Sequence, residues 1–147
     1  MSTRPDWNTY FMQIADMVAT RSTCLRRSVG TVIVKDKRLL TTGYNGAPKG
    51  LPHCTAQSCL RMKQDIESGT MHELCRGVHA EQNAIIQAAY HGILINGADL
   101  YVTTQPCAIC TKMIINAGVN AVYFKNSYND TLSLKLMQEA GIRWVEM

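Results

Sequence analysis

No apolar run in this 147-residue sequence approaches the roughly 20 residues needed to cross a bilayer. The longest candidates, residues 31–34 and 117–124, are strand-length. The opening Met1-Ser2-Thr3-Arg4-Pro5-Asp6 has no apolar stretch of the kind a secretory leader carries, so a cytoplasmic location is expected. Internal repeats, low-complexity tracts and linkers are also missing. The expectation is therefore one domain over residues 1–147, long enough to bury a real core. No long basic run is present. Net charge is +4 and pI about 8.8, but Lys and Arg are scattered, with the densest group at Arg21, Arg26 and Arg27. An extended nucleic-acid face is not expected; the mild positive balance favours a small anionic partner such as a phosphate.

What the sequence does have is cysteine, six residues in all. In a reducing compartment these are metal ligands or free thiols rather than disulfides. Cys107 and Cys110 form a C-x-x-C pair. Cys54, Cys59 and Cys75 share a segment with His53 and His72.

The patterning alternates between helix and strand. Asp6 is placed to cap a first helix, whose apolar stripe is Trp7, Phe11, Ile14, Ala15 and Val18. Residues 29–34 and 38–43 read as a hairpin around Lys35-Asp36-Lys37. Residues 44–78 then lose periodicity, with only a short helix near 59–67. A loop of that length inside a small domain is usually functional or held by something. A helix resumes at His79 and stops at Gly92. Further strands are expected at 99–103, 120–124 and 142–145, with helices at 107–117 and 131–140, the first of these opened by Pro106 in its first turn. This order implies an α/β three-layer α-β-α sandwich with a mixed five-stranded sheet.

Two short motifs open helices that each follow a strand and loop: His79-Ala80-Glu81 and Pro106-Cys107-Ala108-Ile109-Cys110. Brought to the same end of the sheet, His79, Cys107 and Cys110 give one imidazole and two thiolates. That is the three-ligand set of a catalytic zinc, with the fourth tetrahedral position open. Thiolates at a helix N-terminus are stabilised by free N–H groups and the helix dipole. Zinc lowers the pKa of a bound water to about 7. Glu81 then stands where it can take a proton from that water and pass it to a leaving amine. Either motif alone would be weak, since an isolated C-x-x-C is often structural.

H-x-E followed by P-C-x-x-C resembles the signature of the cytidine deaminase superfamily, over roughly residues 7–145. Arg21-Ser22-Thr23-Cys24 with Val29-Gly30, Gly43-Tyr44-Asn45-Gly46-Ala47-Pro48, His79-Ala80-Glu81-Gln82-Asn83-Ala84-Ile85 and Tyr101-Val102-Thr103 look like the deoxycytidylate deaminase branch. The resemblance implies a cytidine deaminase-like fold and conversion of dCMP to dUMP with release of ammonia, feeding thymidylate synthesis. It implies that Asn45 bonds the sugar 3′-hydroxyl and that the backbone at Ala80 holds the cytosine edge. Tyr128 is implied near the 5′-phosphate, with Arg26 as a phosphate partner, although Asn129 stands where relatives often carry a basic residue. It also implies a hexamer, activated by dCTP with Mg²⁺ and inhibited by dTTP near Tyr44, Asn45 and Gly46. Some relatives carry a second, structural zinc. Here its favoured ligands are Cys24, Cys54, His72 and Cys75, with Cys59 and His53 as substitutes and free thiols as the alternative. Asn45-Gly46 can equally be read as a turn.

Two other functions remain open on the residues: a deaminase acting on dCTP as well as dCMP, or on adenosine in tRNA, and a non-catalytic zinc protein of the competence type. Retention of Glu81 speaks against the second, because a structural zinc has no use for that carboxylate.

Overall fold

The protein is described here by a computed structural model covering residues 3–127 and 129–147. Its elements are α1 (Trp7–Ala19), β1 (Gly30–Lys35), β2 (Arg38–Tyr44), α2 (Leu60–Lys63), α3 (Ala80–His91), β3 (Asp99–Thr104), α4 (Ala108–Asn116), β4 (Ala121–Asn126), α5 (Thr131–Glu139) and β5 (Arg143–Glu146), with a 3-10 turn at His72–Leu74. The five strands form one sheet in the order β2-β1-β3-β4-β5. β1 is antiparallel to both β2 and β3, whereas β3, β4 and β5 are parallel. The mixed sheet expected from the sequence is the one found.

Local chemistry sets these elements. The Asp6 carboxylate accepts the Thr9 amide at 2.8 Å and starts α1. Asp36 and Lys37 both take positive φ, 52° and 59°, which closes β1 onto β2 through a two-residue hairpin whose twist matches its strands. Gly92, at φ 67°, ends α3.

Alternation along the strands divides the core between the sheet's two faces. On one face, Val32, Val34, Tyr101, Ala121 and Tyr123 meet Phe11, Met12 and Ala15 of α1. On the other, Ile33, Leu100, Val102, Val122 and Phe124 meet Ala80, Ala84 and Ala88 of α3, Ile114 of α4 and Met137 of α5. Fully burying each large apolar side chain contributes about 1.5–3 kcal/mol. Helices therefore lie on both faces, α1 on one and α3, α4 and α5 on the other.

The alanines of α3 allow a very close approach to the sheet. A Cβ on Gly43 would come within 2.2 Å of the Ala80 carbonyl oxygen and 2.5 Å of the Ala84 nitrogen. α3 rests directly on the backbone of β2.

Three local expectations differ from the structure. Pro106 precedes α4 instead of occupying its first turn, because Cys107 stays extended (φ −73°, ψ 169°) as the N-cap. Asn45-Gly46 makes no positive-φ turn: Gly46 exchanges two backbone hydrogen bonds with Val78, at 3.2 and 2.7 Å. The chain turns later, at Gly50, where φ is 87°. Trp7, placed in the buried stripe of α1, is 48% exposed and stacks on Phe11 at its edge.

The long segment between β2 and α3 is fastened by arginines to backbone carbonyls. Arg61 donates to Met71 O at 3.1 Å and Glu67 O at 2.9 Å, Arg26 to Ile66 O at 3.1 Å, and Arg76 to Pro52 O at 3.2 Å.

Candidate active site

Sheet direction gathers the site. β3 runs opposite to β1, so the start of β1 and the ends of β2 and β3 lie at one edge. The crevice beyond the carboxyl ends of parallel strands is where α/β sheets usually bind ligands. The exit of β3 carries Gln105, Pro106 and Cys107 to the N-terminus of α4. The Gly46–Val78 bridge delivers His79 to the N-terminus of α3 beside it.

His79, Cys107 and Cys110 meet there, with their nitrogen and sulfur ligand atoms all within 4.8 Å of one another. His79 Nδ1 is 3.2 Å from Cys110 Sγ and 3.6 Å from Cys107 Sγ. Tetrahedral zinc with its usual bond lengths separates nitrogen and sulfur ligands by about 3.6 Å, so the donor set fits that ion in chemistry and spacing. Both cysteines are buried. Gln82 Oε1 accepts the His79 amide at 2.8 Å and fixes the residue as the N-cap of α3.

The electrostatics are those of a compact acid–base cluster. A hydrogen bond from Cys110, reinforced by His79 and by the Cys110 amide, pulls the Cys107 thiol down to about 4. The same Cys107 contact, together with burial, pushes Cys110 up. His79 is raised by its hydrogen bond to Cys107. Burial pushes Glu81 up to about 7, against the opposing pull of His79. A carboxyl at that value is divided between its two protonation states near neutral pH, which suits a group that must both take and give a proton.

A cavity of about 280 Å³ opens onto this cluster. Its walls include Asn45, Gly46, Ala80 and Arg26 from the expected residues, with Glu81, His79 and Cys107 at the chemistry. Asn45 Oδ1 accepts the Val29 amide at 2.9 Å and its Nδ2 donates to Arg27 O at 2.8 Å. One N–H of the amide is left for a ligand. Tyr44, 38% exposed, ends β2 beside the cavity without lining it. Tyr128 lies outside the described residues.

The expected second metal set is not drawn together. Among the described residues, no group of three donors other than His79, Cys107 and Cys110 reaches that mutual closeness. Cys24, Cys75 and His72 line the main cavity, while Cys54 and Cys59 line a small separate pocket with Cys75. His72 packs edge-on against the His79 ring, with centroids 4.9 Å apart.

Two contributors escaped the sequence reading. Asp130, directly before the helix expected at 131, carried the signal of an N-cap. Its second role is across space: Oδ2 accepts the Ala108 amide of α4 at 2.9 Å. Arg61, buried in the cavity wall, carried no signal, since a basic residue in a short helix looks like a surface residue.

The family model for the cytidine and deoxycytidylate deaminase zinc-binding region matches residues 5–126. ComE operon protein 2 of Bacillus subtilis is 41% identical over 140 residues, covering 95% of this chain and 70% of that one. The deoxycytidylate deaminase of Schizosaccharomyces pombe is 38% identical over 141 residues, or 95% of this chain; the chain spans only 44% of that enzyme's length. The crystal structure of dCMP deaminase from the cyanophage S-TIM5 in complex with dCMP and dUMP superposes with a TM-score of 0.83. It is 31% identical and covers 99% of this chain and 100% of its own.

Proposed function

The chain belongs to the cytidine and deoxycytidylate deaminase family, and we propose that it hydrolyses dCMP to dUMP and ammonia. The observation that carries this reading is the buried Glu81, raised to about 7, beside a His79-Cys107-Cys110 donor set that fits zinc. The phage enzyme of the same architecture binds dCMP and dUMP, which supports a pyrimidine deoxynucleotide as the substrate class.

In this reading His79, Cys107 and Cys110 hold the zinc, which supplies Lewis acidity for hydrolysis. Glu81 takes a proton from the incoming water and delivers it to N3 of the ring, then takes the remaining proton from the C4 hydroxyl and passes it to the departing amine. Water adds at C4, the C4–N bond breaks, and no oxidant or reductant is needed. Backbone at Ala80 holds the base edge, and the free N–H of Asn45 meets the sugar hydroxyl. Arg26, which lines the cavity, and Tyr128 serve the 5′-phosphate.

Regulation by dCTP with Mg²⁺ and by dTTP is consistent with a Tyr44-Asn45-Gly46 segment that runs from the surface into the cavity wall. Assembly of copies, with the hexamer as the expected form, is supported by an outward apolar row at Ile86, Tyr90 and Leu94, exposed by 54%, 79% and 80%. A second zinc on Cys24, Cys54, His72 and Cys75 would require these donors to close on the ion from the two pockets they line; it predicts two zinc ions per chain, falling to one in a Cys24→Ser/Cys54→Ser variant. A single zinc in the parent protein would remove it. Among the described residues, no helix is long and apolar enough to cross a membrane.

Ammonia release from dCMP, dCTP, cytidine and a tRNA tests the reading directly. Turnover of dCMP above the others is expected. No product from any cytosine nucleotide would overturn it.

A further inference from the structure

Arg61 is the most deeply buried cation in the cavity wall, at 7% exposure. Among the described residues the recorded ion pair joins Lys125 to Asp16, and no carboxylate pairs with Arg61. Its two hydrogen bonds go to neutral acceptors, Met71 O and Glu67 O. A guanidinium has five N–H donors, so three remain beyond this clamp. A buried charge without an opposite charge is costly, and proteins keep one where an anion will come to it.

The surroundings point the same way. Arg26, Arg27, Ser68 and Gly69 line the cavity with Arg61. Arg26 is exposed and tied to Ile66 O, whereas Arg61 is held in place on both sides. A planar fork held rigidly inside a cavity is well suited to a phosphate.

We propose that Arg61 is the specificity-determining residue that selects a 5′-monophosphate over an unphosphorylated nucleoside. This rests on the deaminase reading above and names a residue for its phosphate end. The clamp on residues 67–71 and the recognition of phosphate are then one device, because the residue whose bonds order the loop also lines the cavity.

The test compares dUMP with deoxyuridine by calorimetry on the zinc-loaded protein, for the parent, Arg61→Gln and Arg61→Lys. The parent is expected to prefer dUMP. Arg61→Gln should weaken dUMP binding about 10- to 100-fold, the usual range for a lost charge-assisted hydrogen bond, and leave deoxyuridine within about twofold. Arg61→Lys keeps the charge but not the fork, and should fall between them. If Arg61→Gln does not fold, Arg61→Lys carries the test: loss confined to dUMP supports the proposal. Equal loss of both ligands marks Arg61 as a loop clamp only and overturns it, as does no loss of either. Ammonia release is scored separately. A parent that binds dUMP through Arg61 yet deaminates nothing would remove the deaminase reading and leave the phosphate site standing.

Discussion

Asp130 joins two helix N-termini: its Oδ2 accepts the Ala108 amide at 2.9 Å while its Oδ1 accepts the Ser133 amide at 3.1 Å. One carboxylate thus caps both α4, which carries Cys110 behind its N-cap Cys107, and α5. Gln105 adds a third tie, donating to Asp130 O at 2.9 Å from the loop that leaves β3. The sulfur pair is held by a bracket whose centre is not itself a metal ligand. Asp130→Ala should cost about 1 kcal/mol per cap and lower zinc affinity about tenfold. A competition titration with a chromogenic chelator, set beside a melting curve, reads both. Asp130→Asn keeps an acceptor and should retain most of each.

Glu81→Gln is expected to keep zinc and lower kcat by a factor of about 10² to 10⁴, the usual worth of a positioned proton carrier. Metal analysis and ammonia release check the two halves separately. Activity near the parent level would remove Glu81 from its role.

The same residue makes a prediction about stability. Burial raises the folded value to about 7 from 4.5. Below the unfolded value both states are protonated and Glu81 has no effect. As pH rises between the two values the unfolded chain ionises first, so the fold loses stability, on the order of 3 kcal/mol once above 7. Metal-free Glu81→Gln should therefore be more stable than the metal-free parent at pH 8, with the difference closing by about pH 4.5. Urea melts at the two pH values measure it.

Zinc uptake by the metal-free protein should release protons. Cys107 is already pulled down to about 4 and gives up little near neutral pH. Cys110, held up by that neighbour and by burial, must lose its proton to bind, and His79, also raised, contributes a part. Calorimetry at pH 7.5 in buffers of different ionisation enthalpy should give between about one and two protons per ion. Release near zero would contradict the donor set.

Most of the fold was legible because its signals are local. Asp6, the Asp36-Lys37 turn and Gly92 each act through neighbours in sequence, and the strand periods follow from side-chain alternation. The metal set was legible because both motifs sit at helix starts, where backbone geometry decides where side chains point. What escaped depends on meetings across the chain. Asn45-Gly46 reads as a turn until Val78 arrives to pair with it. His72, counted among four loop donors, also packs against the His79 ring. Arg61 gains its meaning only from the carbonyls that close around it.

Gly43→Ala should destabilise the protein by about 1–3 kcal/mol, because the added methyl meets backbone of α3 that has no side chain to move aside. Since α3 begins with His79 and Glu81, part of the loss should appear in kcat. A melt and a dCMP assay on one preparation compare the two.

The arginine-to-carbonyl ties of the segment between β2 and α3 have a thermal consequence. Apolar burial gives a protein core its large heat capacity of unfolding, and polar ties do not. A segment fastened by Arg26, Arg61 and Arg76 should open as its own unit, with little curvature in its free energy against temperature. Hydrogen exchange over a range of temperatures would then show two regimes. The sheet would follow a dome, whereas the roof of the cavity would loosen almost linearly on warming.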